Sequence, residues 1–178
     1  DHWQAGYDAA RLLRKNGHRH IGFFGGLGVL KSLKSMDEVH TTRIRALLTG
    51  IQDACQEFDL AKDVISDCFD DSAQLRKALK AGRHTAWLCT QERMCRILLY
   101  EAAQLGLRIP EDISLITLSS ALPRYAFPLD VTRFEMDTPS RAAKAVELLL
   151  SGDMTTKEYK FKFNYHPGAT VRKLKGEK

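Results

Sequence analysis

A glycine-rich stretch directly after an apolar run, GGLGVLKS at residues 25–32, is the first place where the chain invites a chemical reading. A loop that folds its backbone amides around a phosphate has the spacing G-x-x-x-x-G-K-[ST], and the position that must be glycine is Leu30 here. The dinucleotide spacing fails as well, because Lys31 stands where its third glycine belongs. The segment reads as a loop on the rim of a pocket. His18-Arg19-His20 brings two imidazoles together without a carboxylate or thiolate to complete a metal site, so a helix-terminal histidine facing the helix dipole is expected. Asp70-Asp71 stands at a helix start, where carboxylates cap backbone N–H groups. No G-x-S-x-G elbow or paired-carboxylate arrangement is present, and nothing in the sequence argues for catalysis, a cofactor or a metal.

The positive signal is positional. Four apolar runs end in Gly25-Gly26, Cys68-Phe69-Asp70, Thr90-Gln91-Glu92 and Ser119-Ser120. In an open parallel sheet, ligands bind beyond the carboxyl ends of the strands, and this mixture of amides, hydroxyls and an aromatic suits a small molecule. The competing reading is that strand ends are polar because the chain surfaces there.

The elements that must position these residues alternate along the chain. Residues 20–26 (HIGFFGG), 63–69 (DVISDCF), 85–90 (TAWLCT) and 113–118 (ISLITL) read as short buried strands. Between them, residues 41–58 carry Ile44, Leu47, Leu48, Ile51, Cys55 and Phe58 at helical spacing. A shorter helix is capped by Asp71 and Ser72, turns inward at Leu75, Ala78 and Leu79, and closes at Gly82. A third helix runs from about Glu92, with Met94, Leu98, Ala102 and Leu105 inward. It stops at Gly106, because glycine takes the left-handed conformation without a Cβ clash, and Ile109-Pro110 bars its continuation. Strands buried on both faces and separated by helices imply a doubly wound α/β domain around a parallel sheet with right-handed crossovers.

After Ser120 the pattern changes. Residues 121–136 hold two prolines and read as a loop leading into an extended crossing segment. Asp137 or Thr138 caps another helix with Pro139 at its first position, its stripe is Ala142, Val146, Leu149 and Leu150, and Gly152 ends it. Residues 158–167 alternate Tyr159, Phe161, Phe163 and Tyr165 with polar side chains, as an edge strand does. These last elements have too few partners for a core of their own.

At 178 residues the chain has room for one good core or one domain and part of another. No apolar stretch approaches the roughly 20 residues of a bilayer span, and the first residues read as an amphipathic helix, with no signal peptide visible. Cys55, Cys68, Cys89 and Cys95 show no disulfide or metal spacing and read as free thiols of a reducing compartment. The 27 basic against 22 acidic residues are spread along helices, so the formal +5 reads as solvated faces and not a nucleic-acid footprint.

Taken together, the segments resemble the LacI/GalR family of transcriptional regulators, in its effector-binding region. The matching pieces are D-x-x-Q-A-G-Y-x-A-A-R-L-L at 1–13, GHRHIGFFGG at 17–26, TGIQDA at 49–54, GLRIPEDISLI at 106–116 and PGATV at 167–171. They span nearly the whole chain in the family's order. The resemblance implies a two-lobed, periplasmic-binding-protein-like region behind a helix-turn-helix headpiece. Residues 1–135 would be its C-terminal lobe, and 136–178 the helix and strand that complete an N-terminal lobe otherwise missing here. It implies a small-molecule effector such as a sugar or related metabolite, homodimers in the cytoplasm, no membrane contact, and DNA bound only through a headpiece absent from this chain.

The resemblance also places an effector site. Asp1 matches the acidic residue that enters the second lobe. The family's clamp arginine falls on Leu47, with Arg43 and Arg45 nearby as substitutes. Phe69 matches a position that stacks on ligands in some members, Gln91-Glu92 replaces an Asn-Asp pair, Ser119 an aspartate that grips hydroxyls, and Met136 a glutamine at the crossing. Losing two charged, bidentate groups weakens hydroxyl recognition by something on the order of several kcal/mol. That argues against an ordinary sugar held by Arg and Asp. The rival from another class is a periplasmic solute-binding protein of a transporter, against which the free cysteines and the GLRIPEDIS block both lean. An enzyme on a similar sheet is the remaining alternative.

Overall fold

The computed structural model describes residues 1–25, 38–57, 68–119, 127–152 and 157–174. The pocket-rim loop beyond Gly25, residues 63–67 of the expected second strand, Phe58 and the stretch 120–126 lie outside these. Six strands, β1 (Ile21–Phe24), β2 (Cys68–Phe69), β3 (Ala86–Cys89), β4 (Ser114–Ser119), β5 (Thr132–Met136) and β6 (Phe163–His166), form one sheet in the order β2-β1-β3-β4-β5-β6. All neighbours are parallel except the last pair, where β6 runs antiparallel to β5 with Phe134 opposite Tyr165. The strand order reverses at β1, which sends the crossover helices to both faces.

Each face has its own core because successive strand residues point opposite ways. Phe23, Leu88, Ile116 and Phe134 meet the helices α1 (His2–Lys15) and α2 (Glu38–Glu57). Phe24, Trp87, Cys89 and Leu115 meet α3 (Ser72–Ala81) and α4 (Glu92–Gln104). Helix α3 starts where the sequence predicts, with the Asp71 carboxylate accepting from the Gln74 backbone N–H at 2.7 Å, and it ends at Gly82 with φ of 65°. Among the described cysteines, Cys55, Cys89 and Cys95 are free and buried.

Helices α1 and α2 approach backbone to backbone. A Cβ on Gly6 would lie 2.3 Å from the Leu47 carbonyl oxygen, and one on Gly50 would lie 2.0 Å from that of Trp3. Only glycine fits at these two crossings, which gives the Gly6 and Gly50 motifs a packing cause.

His18 differs from expectation. It is fully buried, with Nδ1 3.0 Å from the Thr85 hydroxyl and Nε2 3.0 Å from the Arg172 carbonyl oxygen. A carbonyl only accepts, so Nε2 carries the proton, and Nδ1 accepts from the hydroxyl. The ring stitches β3 to the C-terminal segment as a neutral imidazole, and burial lowers its pKa below the ordinary 6.5.

Two features follow β5. Helix α5 (Thr138–Ser151) is capped by Asp137, whose carboxylate accepts from the Ser140 N–H at 3.0 Å, yet it buries none of its residues. Its apolar stripe faces out, with Val146 54%, Leu149 79% and Leu150 84% exposed. Residues beyond β6 run back along the sheet. Leu115 N–H donates to the Thr170 carbonyl at 2.8 Å, and the Thr170 hydroxyl donates to the Leu115 carbonyl at 2.7 Å while accepting from Thr132 N–H at 2.9 Å. Within 136–178, therefore, β6 and the PGATV motif are bonded to this sheet, whereas α5 is not packed into its cores.

Candidate functional site

A cleft of about 380 Å³ opens beyond the carboxyl ends of β3, β4 and β5. Five of the eight candidate residues line it: Arg43, Gln91, Glu92, Ser119 and Met136. A neighbouring hollow of about 650 Å³ shares His2, Arg43, Met136 and Phe163 with the cleft and adds Asp1.

The elements account for each side chain. On α2, Arg43, Ile44 and Leu47 fall on one helical face, and the glycine crossing with α1 fixes that face against the sheet end. Arg45, two residues past Arg43, is exposed and does not line the cleft, as the helical rotation requires. Thr90 follows β3 and donates to the Phe24 carbonyl at 3.4 Å, holding the ends of β1 and β3 together. Gln91 then takes the N-cap position of α4 in an extended conformation, and its side chain caps nothing. Glu92, in the first turn, is held by Arg96 through contacts of 3.0 and 2.6 Å. Ser119 ends β4 with only 6% of its surface exposed, and its hydroxyl has no hydrogen-bond partner among the described residues.

Asp1 spends one carboxylate oxygen on the cap of α1, accepting from Gln4 N–H at 3.0 Å. Phe69 is placed elsewhere. Its register partner is Phe24, so it faces the α3–α4 core, and its ring packs 5.5 Å from Trp87 and 5.7 Å from His84. It is not among the residues lining the cleft.

Sequence reasoning missed the apolar walls. Ile44, Leu118 and Phe163 line the cleft beside Leu47, and the Phe163 ring meets the His2 ring edge-on at 5.5 Å. The signal was available for Ile44, one residue from Arg43 and three from Leu47 on the same helix. For Phe163 it was not, since only the antiparallel pairing with Met136 brings that strand across. The charges are uneven. Glu92 is already paired with Arg96, whereas Arg43 and Arg93 have no ion-pair partner among the described residues.

Among the described residues, no three His, Cys, Asp or Glu side chains gather as a metal site would require, and no helix is long and apolar enough to cross a membrane. The arrangement is a half-open cleft whose polar groups come chiefly from the start of α4 and the end of β4, and whose apolar side chains come from α2, β4, β5 and β6, with Arg43 standing beside Ile44 and Leu47.

A domain described as periplasmic binding protein-like matches residues 10–164, and the chain belongs to that family. Within it, similar proteins include transcriptional regulators. The HTH-type transcriptional repressor PurR of Aliivibrio salmonicida is 28% identical over 174 residues, covering 96% of this chain and 50% of the repressor. That of Vibrio vulnificus is 27% identical over 176 residues, covering 95% and 49%. The chain thus spans about half the length of the curated relatives it matches. Among solved structures, a LacI family regulator from Enterococcus faecium with bound ribose superposes with a TM-score of 0.75 at 15% identity, covering 98% of this chain and 64% of that one. A PurR family regulator from Vibrio parahaemolyticus gives 0.72 at 24%, covering 96% and 62%. These structures share the fold.

Proposed function

We propose that this chain is the effector-sensing half of a LacI-type transcriptional regulator, acting in the cytoplasm of the cell that makes it. In this reading a small molecule binds in the cleft beyond the parallel strands and is covered by a first lobe supplied by a longer parent protein. Residues 136–178 then include the return helix, and the outward stripe of α5 packs against that lobe. Closure of the two lobes on the effector shifts their relative position, and across a homodimer that shift reorients DNA-reading headpieces. A ligand can drive this only by binding the closed arrangement more tightly than the open one.

The observation that carries the reading is the cleft itself, placed where open α/β sheets bind ligands and built by a chain of this family. That the curated relatives are repressors favours a regulator over the solute-binding protein of a transporter.

A thermal-shift panel of sugars, nucleobases and small organic acids tests it. A hit that raises Tm in the native chain is expected to lose its effect in Gln91→Ala and in Leu47→Asp. A hit that survives both substitutions, or a panel without any hit, contradicts the reading.

A further inference from the structure

We propose that the cleft is built for a small organic anion, a carboxylate on a one-ring or short-chain apolar body, and not for a polyol. The inference rests on the sensor reading above and adds the chemical class of its ligand.

Backbone donors gather at one end of the cleft, the start of α4. The first intrahelical bond of α4 runs from Cys95 N–H to the Gln91 carbonyl at 3.1 Å, so the N–H groups of Glu92, Arg93 and Met94 have no acceptor within the helix. The residue that would cap them is Gln91, and its side chain does not. Uncapped N–H groups at the positive end of a 13-residue helix form an anion site.

A second observation is independent of the helix. Ser119 lines the same cleft and is only 6% exposed, and its buried hydroxyl has no hydrogen-bond partner among the described residues. A buried hydroxyl without a partner is a donor waiting for an acceptor, and a carboxylate oxygen supplies one.

Charge agrees. Arg43 and Arg93 line the cleft without ion-pair partners among the described residues, and Glu92, the one acid among the described lining residues, is held by Arg96. The rest of the lining is largely apolar: Ile44, Leu47, Leu118, Met136 and Phe163. A polyol carries hydroxyls around its whole ring and would press several of them against these walls without partners, at a desolvation cost for each. A molecule with one charged head and an apolar body matches this lining.

Amide NMR of the 178-residue chain, titrated separately with phenylacetate, phenylacetamide, ribose and inorganic phosphate, tests the proposal. Phenylacetate is expected to shift the amides of residues 92–94 and 119, with phenylacetamide and phosphate each weaker by about tenfold or more. Gln91→Asp places a carboxylate at the cap. It is expected to weaken phenylacetate by about tenfold or more while raising Tm, opposite signs that a folding defect cannot produce. Equal affinity for phenylacetamide or phosphate, or unchanged affinity in Gln91→Asp, overturns the proposal. If ribose moves these amides and phenylacetate does not, the anion inference fails and the sensor reading stands. If none of the organic probes moves them, the anion inference fails, and a wider panel without a hit overturns the sensor reading as well.

Discussion

Replacing Ser119 by alanine separates two accounts of the same atom. In the structure the Ser119 hydroxyl is buried at the end of β4 and bonded to nothing among the described residues. Burying a hydroxyl without a partner costs about 1–3 kcal/mol in protein mutational series. Alanine removes that cost and gives up the packing of a single oxygen, so Ser119→Ala is expected to stabilise the free chain by about 1 kcal/mol. In a chain of this size, that raises Tm by roughly 2–4 °C. Ser114 supplies the control. It lies on the same strand, is likewise buried, and its hydroxyl accepts from Arg172 N–H at 3.0 Å. Ser114→Ala leaves that N–H unpaired and is expected to destabilise by about 1–2 kcal/mol. Urea melts followed by circular dichroism read both variants, with m unchanged. A loss of about 1 kcal/mol or more in Ser119→Ala would mean that the hydroxyl is bonded in the folded chain. The argument for a vacant donor in the cleft would then be wrong.

Three other expectations follow from the packing. Gly50→Ala forces a methyl to within 2.0 Å of the Trp3 carbonyl, so it is expected to cost about 2 kcal/mol or more in urea melts and to drive α2 off the sheet end, weakening any cleft ligand. His18 is held neutral with a lowered pKa, chiefly by burial. Protonation therefore favours the unfolded chain: stability should be flat above the ordinary value of 6.5 and fall as pH drops below it, and melts at several pH values should show that slope reduced in His18→Gln. Leu149→Lys is expected to change the stability of this chain by less than about 0.5 kcal/mol, because the side chain is 79% exposed, and to weaken association with a first lobe supplied in trans, measured by calorimetry.

Much of this fold is written locally. The Asp71 cap and the left-handed Gly82 bracket α3 within one residue of the sequence reading, because both signals act through backbone geometry of a single turn. Strands β1, β3 and β4 were legible because burial on both faces leaves an unbroken apolar run. The site was only half legible, and the reason is facing. Spacing places Phe69 at a strand end but does not tell which face it takes, and its pairing with Phe24 turns it into the α3–α4 core. Helical rotation separates Arg43 from Arg45, and the α1–α2 crossing turns the Arg43 face toward the cleft. The His18 bridge depends on Arg172, 154 residues away, and no local pattern encodes it. The stripe of α5 reads as a buried face, since periodicity records that a face is apolar and not what covers it.

Hydrogen–deuterium exchange of the chain, with and without whichever compound raises its Tm most, tests the central claim most directly. Bound ligand is expected to slow exchange at residues 90–94 and 118–119 and along the first turns of α2, where the strand ends and helices close on the cleft. Protection confined to the α3–α4 face around Phe69 and Trp87, with the cleft unchanged, would place the binding site elsewhere and contradict the account.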